Sequence, residues 1–180
     1  GEVVSAAYIR MTLALMEDYG ADLSWKGDTL RVNGGGYRMA HRDVESDWSA
    51  ASYWYSMVLL ERHAHLFLQH LQPDSLQGDR SLVDIFHSLG VVTEFLDSGI
   101  SLEKIMDIMP PQFTWDFTES PDLVQAVAVM LCHAAIPFRL TGTQTLRIKE
   151  TDRIAALQKE LGKLGFLLRS DREGRFLAWE

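Results

Sequence analysis

Apolar and polar positions along this chain fall into two matching stretches. In the first, Met39–Ser46 reads as a strand and Trp48–His63 as a helix. Ala64–Leu71 reads as a strand and Asp79–Leu89 as a second helix, which Gly90 stops. Val91–Leu96 and Ile100–Leu102 read as strands. The second stretch repeats the order: strand Phe113–Glu119, helix Pro121–Ala135, strand Ile136–Gly142, helix Lys149–Leu164, stop at Gly165, then a hairpin of Phe166–Ser170 and Arg175–Trp179. Each stretch is a β-α-β-α-β-β unit, which predicts an α+β fold with layered helices and sheets. Asp79-Arg80 and Asp152-Arg153 hold matching places, 73 residues apart (79 to 152), and the two stop glycines are 75 apart (90 to 165).

The two helices of each unit differ in kind. Leu123, Val124, Ala126, Val127, Val129, Met130 and Leu131 leave almost no polar face, which predicts a buried helix. Ala50, Ala51, Tyr53, Trp54, Met57, Val58 and Leu59 predict the same for its counterpart. The second helices are amphipathic, with Leu82, Ile85, Phe86 and Leu89 in one and Ile154, Leu157, Leu161 and Leu164 in the other. Ser120 is placed to cap a helix that has Pro121 at its first position. Ahead of the first unit, Ser5–Tyr19 is helical in pattern. Gly20 stops it, and Ala21–Lys26 and Thr29–Asn33 read as short strands around Gly27-Asp28. Gly34-Gly35-Gly36 reads as a joint. It lacks the lysine and hydroxyl residue of a P-loop and leads into a strand.

Composition narrows the function classes. The chain has 180 residues, 47% hydrophobic and 23% charged, with a formal net charge of −8. Such an acidic balance argues against nucleic-acid binding, which needs a basic face. It leaves room for a small anionic substrate bound by a local cation cluster, for which Arg147, Lys149 and Arg153 are candidates. Cys132 is single and sits in an apolar run, so it reads as a small core residue. No apolar run is long enough to span a bilayer, and a cytoplasmic setting is expected. The six histidines have no cysteine or carboxylate at ligand spacing, so no metal site is expected. The chain starts at Gly1 and enters patterned sequence at once, and it is read as a piece of a longer protein.

The densest chemistry lies in Leu146-Arg147-Ile148-Lys149-Glu150-Thr151-Asp152-Arg153. Lys149 and Arg153, four apart at a predicted helix start, would share a face and repel unless an anion lies between them. A helix N-terminus adds free N–H groups and a positive dipole end. Glu150 is a possible proton carrier. The plain alternative is a solvated helix start with acids favoured by the dipole.

This run, in a repeated β-α-β-α-β-β setting, resembles the arginine-x-lysine-glutamate-threonine-aspartate-arginine signature of the 5-enolpyruvylshikimate 3-phosphate synthase (3-phosphoshikimate 1-carboxyvinyltransferase) family. Pro121-Asp122, Val44-Glu45-Ser46-Asp47 and Val4-Ser5-Ala6-Ala7-Tyr8-Ile9 resemble three further family segments in the right order. The resemblance covers the whole chain. It implies residues 1–44 as the end of one domain and 45–180 as two of three units of another. It also implies a fragment, because further phosphoenolpyruvate-binding segments of the family lie outside the chain.

The implied reaction moves the enolpyruvyl group of phosphoenolpyruvate to the 5-hydroxyl of shikimate 3-phosphate and releases phosphate, with no metal or organic cofactor. The resemblance implies that Asp122 contacts the shikimate hydroxyls and accepts a proton. It implies that Glu150 exchanges a proton with the methylene carbon, that Lys149 binds the shikimate phosphate and that Arg153 binds phosphoenolpyruvate. Ser5 and Tyr8 would line the shikimate 3-phosphate site. Asp47 matches an acid at the domain crossover and receives no chemical role. Thr145 stands where many members have a phosphate-binding asparagine, and its hydroxyl can replace one amide hydrogen bond but not two. Ser46 replaces a glycine, so a positive φ there would be costly. The family implies a monomer, without membrane or nucleic-acid partners. The loss of a third unit would expose apolar surface and favour self-association. The rival readings are a UDP-N-acetylglucosamine enolpyruvyl transferase and a non-catalytic module that binds a phosphorylated ligand.

Overall fold

A computed structural model describes residues 6–105 and 110–180. Helix α1 (Ala6–Asp18) leads to an antiparallel pair, β1 (Leu23–Lys26) and β2 (Thr29–Val32). The first unit then comprises α2 (Trp48–Leu60), β3 (His65–Gln69), α3 (Leu82–His87), β4 (Val91–Leu96) and β5 (Gly99–Lys104). The second comprises β6 (Phe113–Asp116), α4 (Val124–His133), β7 (Phe138–Thr141), α5 (Arg153–Gly162), β8 (Arg169–Ser170) and β9 (Phe176–Trp179). Strand order is β3-β5-β4 in one sheet and β6-β7-β9-β8 in the other, so β7-β9-β8 repeats β3-β5-β4. All pairings are antiparallel except β6 with β7, where Phe113 lies opposite Phe138.

The expected strand at Met39–Ser46 does not form. This segment is irregular, and Met39 and Val44 are almost fully exposed. What remains of the pairing is one hydrogen bond, from Ser46 N to the His70 carbonyl at 2.8 Å. It matches the bond from Phe117 N to the Thr141 carbonyl, at 2.9 Å, just past β6. Ser46 does not take a positive φ, so the missing glycine brings no strain; His70, its partner, does, at 57°.

One core runs through both units. It takes Trp48, Tyr55 and Leu59 from α2, Ile85 and Phe86 from α3, Val127 and Leu131 from α4, and Leu177 from β9. The expectation for α4 holds, apart from half-exposed Val129 and partly exposed Ala126. Cys132 is buried among these side chains, and burial pushes its thiol up to about 11. Helix α2 is a correction: only one side is buried, and Tyr53, Trp54, Met57 and Leu60 form an exposed apolar stripe. Leu164 also lies outside the core, because α5 ends at Gly162. No helix among the described residues is long and apolar enough to cross a membrane.

The start of α2 is pinned by one half-buried carboxylate. Glu45 Oε1 accepts from Trp48 Nε1 at 2.8 Å and Gln72 N at 2.9 Å. Its Oε2 accepts from Ser75 Oγ at 2.6 Å and Gln77 Nε2 at 3.1 Å. Gln77 in turn accepts from Trp48 N at 2.9 Å, and Asp47 caps the helix by accepting from Ser49 N at 2.8 Å. Replacing Glu45 with alanine removes the acceptor of four donors at once, of which Gln77 Nε2 keeps the Ser46 carbonyl at 2.8 Å. The expected loss is about 2 kcal/mol of stability, read as a lower urea midpoint at unchanged slope. A wild-type midpoint would show that the network does not hold the helix start.

Candidate functional site

Asp122 gathers the site around it. It lies in the short turn Pro121–Leu123 that opens α4, with Pro121 at the first position, as expected. Ser120 does not cap this turn with its side chain. Its hydroxyl instead accepts from Ser81 Oγ at 3.0 Å. Tyr8, from α1, donates its hydroxyl to Asp122 Oδ2 at 2.6 Å. Lys149 Nζ lies 3.3 Å from Asp122 Oδ1, and Arg153 Nη1 lies 2.8 Å from the same oxygen. Lys149 Nζ is also 6.0 Å from the centre of the Tyr8 ring. Arg153 turns its other edge to Glu150 Oε1, at 2.7 Å from Nη2 and 3.2 Å from Nε. With its amide oxygen and nitrogen exchanged, the orientation its neighbours favour, Gln125 accepts from Arg153 Nη1 at 2.9 Å and donates to the Asp122 carbonyl at 3.2 Å.

Local structure differs from the expectation here. Helix α5 starts at Arg153, and Asp152 caps it by accepting from Ala155 N at 2.9 Å. Lys149 and Glu150 therefore precede the helix, in the loop after the turn Gln144–Arg147. Lys149 and Arg153 do not share a helix face. They meet because the loop folds back on Asp122, whose carboxylate is the anion between them. Arg147 leaves the cation cluster: it pairs with Asp152 Oδ2 at 2.8 Å and donates to the Asp171 carbonyl at 2.9 Å. Thr145 is buried in the turn, and its Oγ1 has no hydrogen-bond partner. Ser5 lies outside the described residues.

These contacts set the charge states. Burial alone would raise the Asp122 carboxyl. The Tyr8 hydroxyl, Lys149 and Arg153 outweigh it and hold the group below the usual carboxylate range. Burial, followed by the bond to Asp122, raises the Tyr8 phenol, so it stays a donor. The hydrogen bond from Arg153 lowers exposed Glu150. An open groove of about 490 Å³ runs past Asp122, Gln125, Glu150 and Arg153 to Tyr53. The groove presents the Arg153 guanidinium, the Asp122 and Glu150 carboxylates and the Tyr53 phenol, and Lys149 and Tyr8 reach Asp122 beside it, a set that suits a ligand carrying both hydroxyls and anionic groups. Sequence reasoning did not find Gln125, although it is the one strongly polar residue between Val124 and Leu131.

Known proteins are similar to this chain in sequence and in fold. The family model described as EPSP synthase (3-phosphoshikimate 1-carboxyvinyltransferase) matches residues 1–177. A 3-phosphoshikimate 1-carboxyvinyltransferase of Bacteroides fragilis is 44% identical over 181 aligned positions, which cover all of this chain and 44% of the relative. One from Methanospirillum hungatei is 33% identical, covering 92% of this chain and 39% of the relative. The chain thus spans less than half the length of the curated relatives it matches. A solved EPSP synthase of Acinetobacter baumannii superposes with a TM-score of 0.64 at 20% identity, over 95% of this chain and 39% of that one. That likeness concerns the fold.

Proposed function

This chain belongs to the EPSP synthase family, and from that membership we propose that it supplies part of the site that transfers the enolpyruvyl group of phosphoenolpyruvate to shikimate 3-phosphate. The observation that carries the reading is the convergence of Tyr8, Lys149 and Arg153 on Asp122, with Glu150 on the far edge of Arg153. On this reading residues 1–44 end one domain and 45–180 form two units of the other, and the enzyme works in the cytoplasm.

The roles follow from the contacts. A base with a depressed pKa is a weak proton acceptor, and Asp122 is held in that state by the Tyr8 hydroxyl and by two cations. A phosphate or carboxylate bound beside Asp122 competes for Arg153, which lines the groove, and for Lys149, which pairs with the same carboxylate oxygen. As those cations turn to the ligand, the Asp122 carboxylate loses its stabilising partners and its proton affinity rises. Substrate binding thereby readies Asp122 to take the proton of the attacking hydroxyl. Glu150 exchanges a proton at the methylene carbon, and the Arg153 guanidinium holds the phosphoenolpyruvate anion beside it. Thr145, with a free buried hydroxyl oxygen, offers one hydrogen bond to the shikimate phosphate. Ser5 is proposed to join that site.

Calorimetric titration of the chain with shikimate 3-phosphate, in parallel with a UDP sugar, tests the reading. Binding of the first alone is the expected result. Preference for the UDP sugar would favour the rival transferase, and binding of neither would remove the substrate assignment from this chain. Phosphate release from shikimate 3-phosphate and phosphoenolpyruvate together then tests turnover. In an active enzyme containing this chain, Arg153→Ala is expected to raise the KM for phosphoenolpyruvate by about 10–100-fold, as loss of a charge-assisted pair does. An unchanged KM refutes the Arg153 assignment.

A further inference from the structure

Among the described residues Asp79 is the only buried charged side chain, at 4% exposure, and it has no part in the roles assigned so far. It lies in the turn Gly78–Ser81 ahead of α3. Its neighbours place it against the site. A Cβ on Gly78 would stand 2.5 Å from the Glu119 carbonyl oxygen and 2.9 Å from Ala7 Cβ. Ser81 Oγ reaches Ser120 Oγ at 3.0 Å. Ala7 precedes Tyr8, and Glu119 and Ser120 lead to Asp122. The Asp79 carboxyl accepts a hydrogen bond from Ser49 Oγ on Oδ2, while its buried Oδ1 has no partner.

The repeat supplies an internal comparison. Asp152, the counterpart of Asp79, caps α5 and pairs with Arg147. Asp79 makes no such cap. Arg153 faces the site, whereas its counterpart Arg80 turns away, donating to the Pro73 carbonyl at 2.6 Å and stacking 5.5 Å from the Phe95 ring centre. The same Asp-Arg pair is therefore used in opposite senses. In the second unit the arginine serves the site and the aspartate holds the helix. In the first the aspartate is buried beside the site with one oxygen unused.

We propose that Asp79 is a positioning residue of the Asp122–Lys149 site, whose charge draws Lys149 back from an anion held there and so weakens its binding. The proposal rests on the proposed function only for which anion this is. Tyr8 of α1, Asp47 and Ser49 at the start of α2, Asp122 and Lys149 all act on the group or feel its charge. Burial dominates and pushes the carboxyl up to about 6; Asp122 and Asp47 push the same way, and Ser49 and Lys149 oppose them. Loss of the proton puts a second negative charge near Lys149, which already pairs with Asp122.

The test follows the Lys149 Nζ resonance by NMR in the lysine-labelled chain, assigned by its loss in Lys149→Gln. In the wild type it should step near pH 6, and in Asp79→Asn the step should vanish. Ser49→Ala removes a bond that favours the ionised form and should move the step to higher pH. It also serves if Asp79→Asn fails to fold. Sulfate, whose charge is constant across this range, should bind the wild type about fivefold more weakly at pH 7.5 than at pH 5, the effect of one screened charge. Asp79→Asn should keep the tighter affinity throughout. A wild type with no step, a step that survives in Asp79→Asn or does not move in Ser49→Ala, or no sulfate binding at pH 5 overturns the proposal. Failure of shikimate 3-phosphate to bind while step and sulfate effect persist removes the functional reading and leaves the Asp79 role standing.

Discussion

Replacing Asp122 by alanine in an active enzyme containing this chain is expected to lower kcat by about a hundredfold or more, the range for a lost general base. The KM values should move less, because Lys149, Arg153 and Tyr8 remain to hold anionic and hydroxyl groups. Asp122→Asn sharpens the test. An amide can still accept from Tyr8 and keep the turn in place, but it takes up no proton near neutral pH. Both variants should therefore lose turnover, while Asp122→Asn keeps the fold better than Asp122→Ala. Steady-state phosphate release measures the first effect and thermal unfolding the second. Wild-type turnover in Asp122→Asn would take Asp122 out of proton transfer and leave it as an anchor for the two cations.

How much of this is legible in the sequence depends on the range of the contacts. The repeat is legible because it rests on local pattern: α4, the two amphipathic helices and the strand order after them come from periodicity and stop glycines. Met39–Ser46 misleads because a strand needs a neighbour, and its pairing with β3 stops after the Ser46–His70 bond. The α2 stripe misleads because an apolar helix predicts burial on every side, whereas burial depends on what else packs there. In the site, the spacing of Lys149 and Arg153 singles them out on a wrong geometric premise. The Asp152 cap shortens the helix, and it is Asp122, 31 residues before Arg153, that unites them. Tyr8 lies 114 residues from Asp122, beyond any spacing rule, and only family resemblance connects the two. Asp79 is visible as a repeat position, yet its burial is not, since the same dipeptide is a helix cap in the other unit.

Gly142→Ala is expected to destabilise the fold by about 3 kcal/mol, combining a left-handed backbone cost with overpacking. Gly142 follows β7 with φ at 71°. A Cβ there would stand 2.3 Å from Thr118 N, 2.4 Å from Asp116 Oδ1 and 2.5 Å from Thr118 Oγ1. Those atoms already bond one another: Asp116 Oδ1 accepts from Thr118 N at 2.9 Å and from Thr118 Oγ1 at 2.6 Å. This turn carries the chain from β6 to Ser120, Pro121 and Asp122, so the added methyl should also disturb the site. Gly165→Ala separates the two costs. Gly165 has φ at 92°, but an added Cβ would meet nothing within 4 Å, so its substitution should cost only about 1–2 kcal/mol of backbone strain. Urea unfolding of both variants gives the comparison, and the Tyr8–Asp122 contact can be followed through the Tyr8 ring resonances. Equal losses in the two variants would mean that the β6–Asp122 turn yields freely to the methyl. A larger loss at Gly142, with a shifted Tyr8, would show that this glycine sets where Asp122 stands.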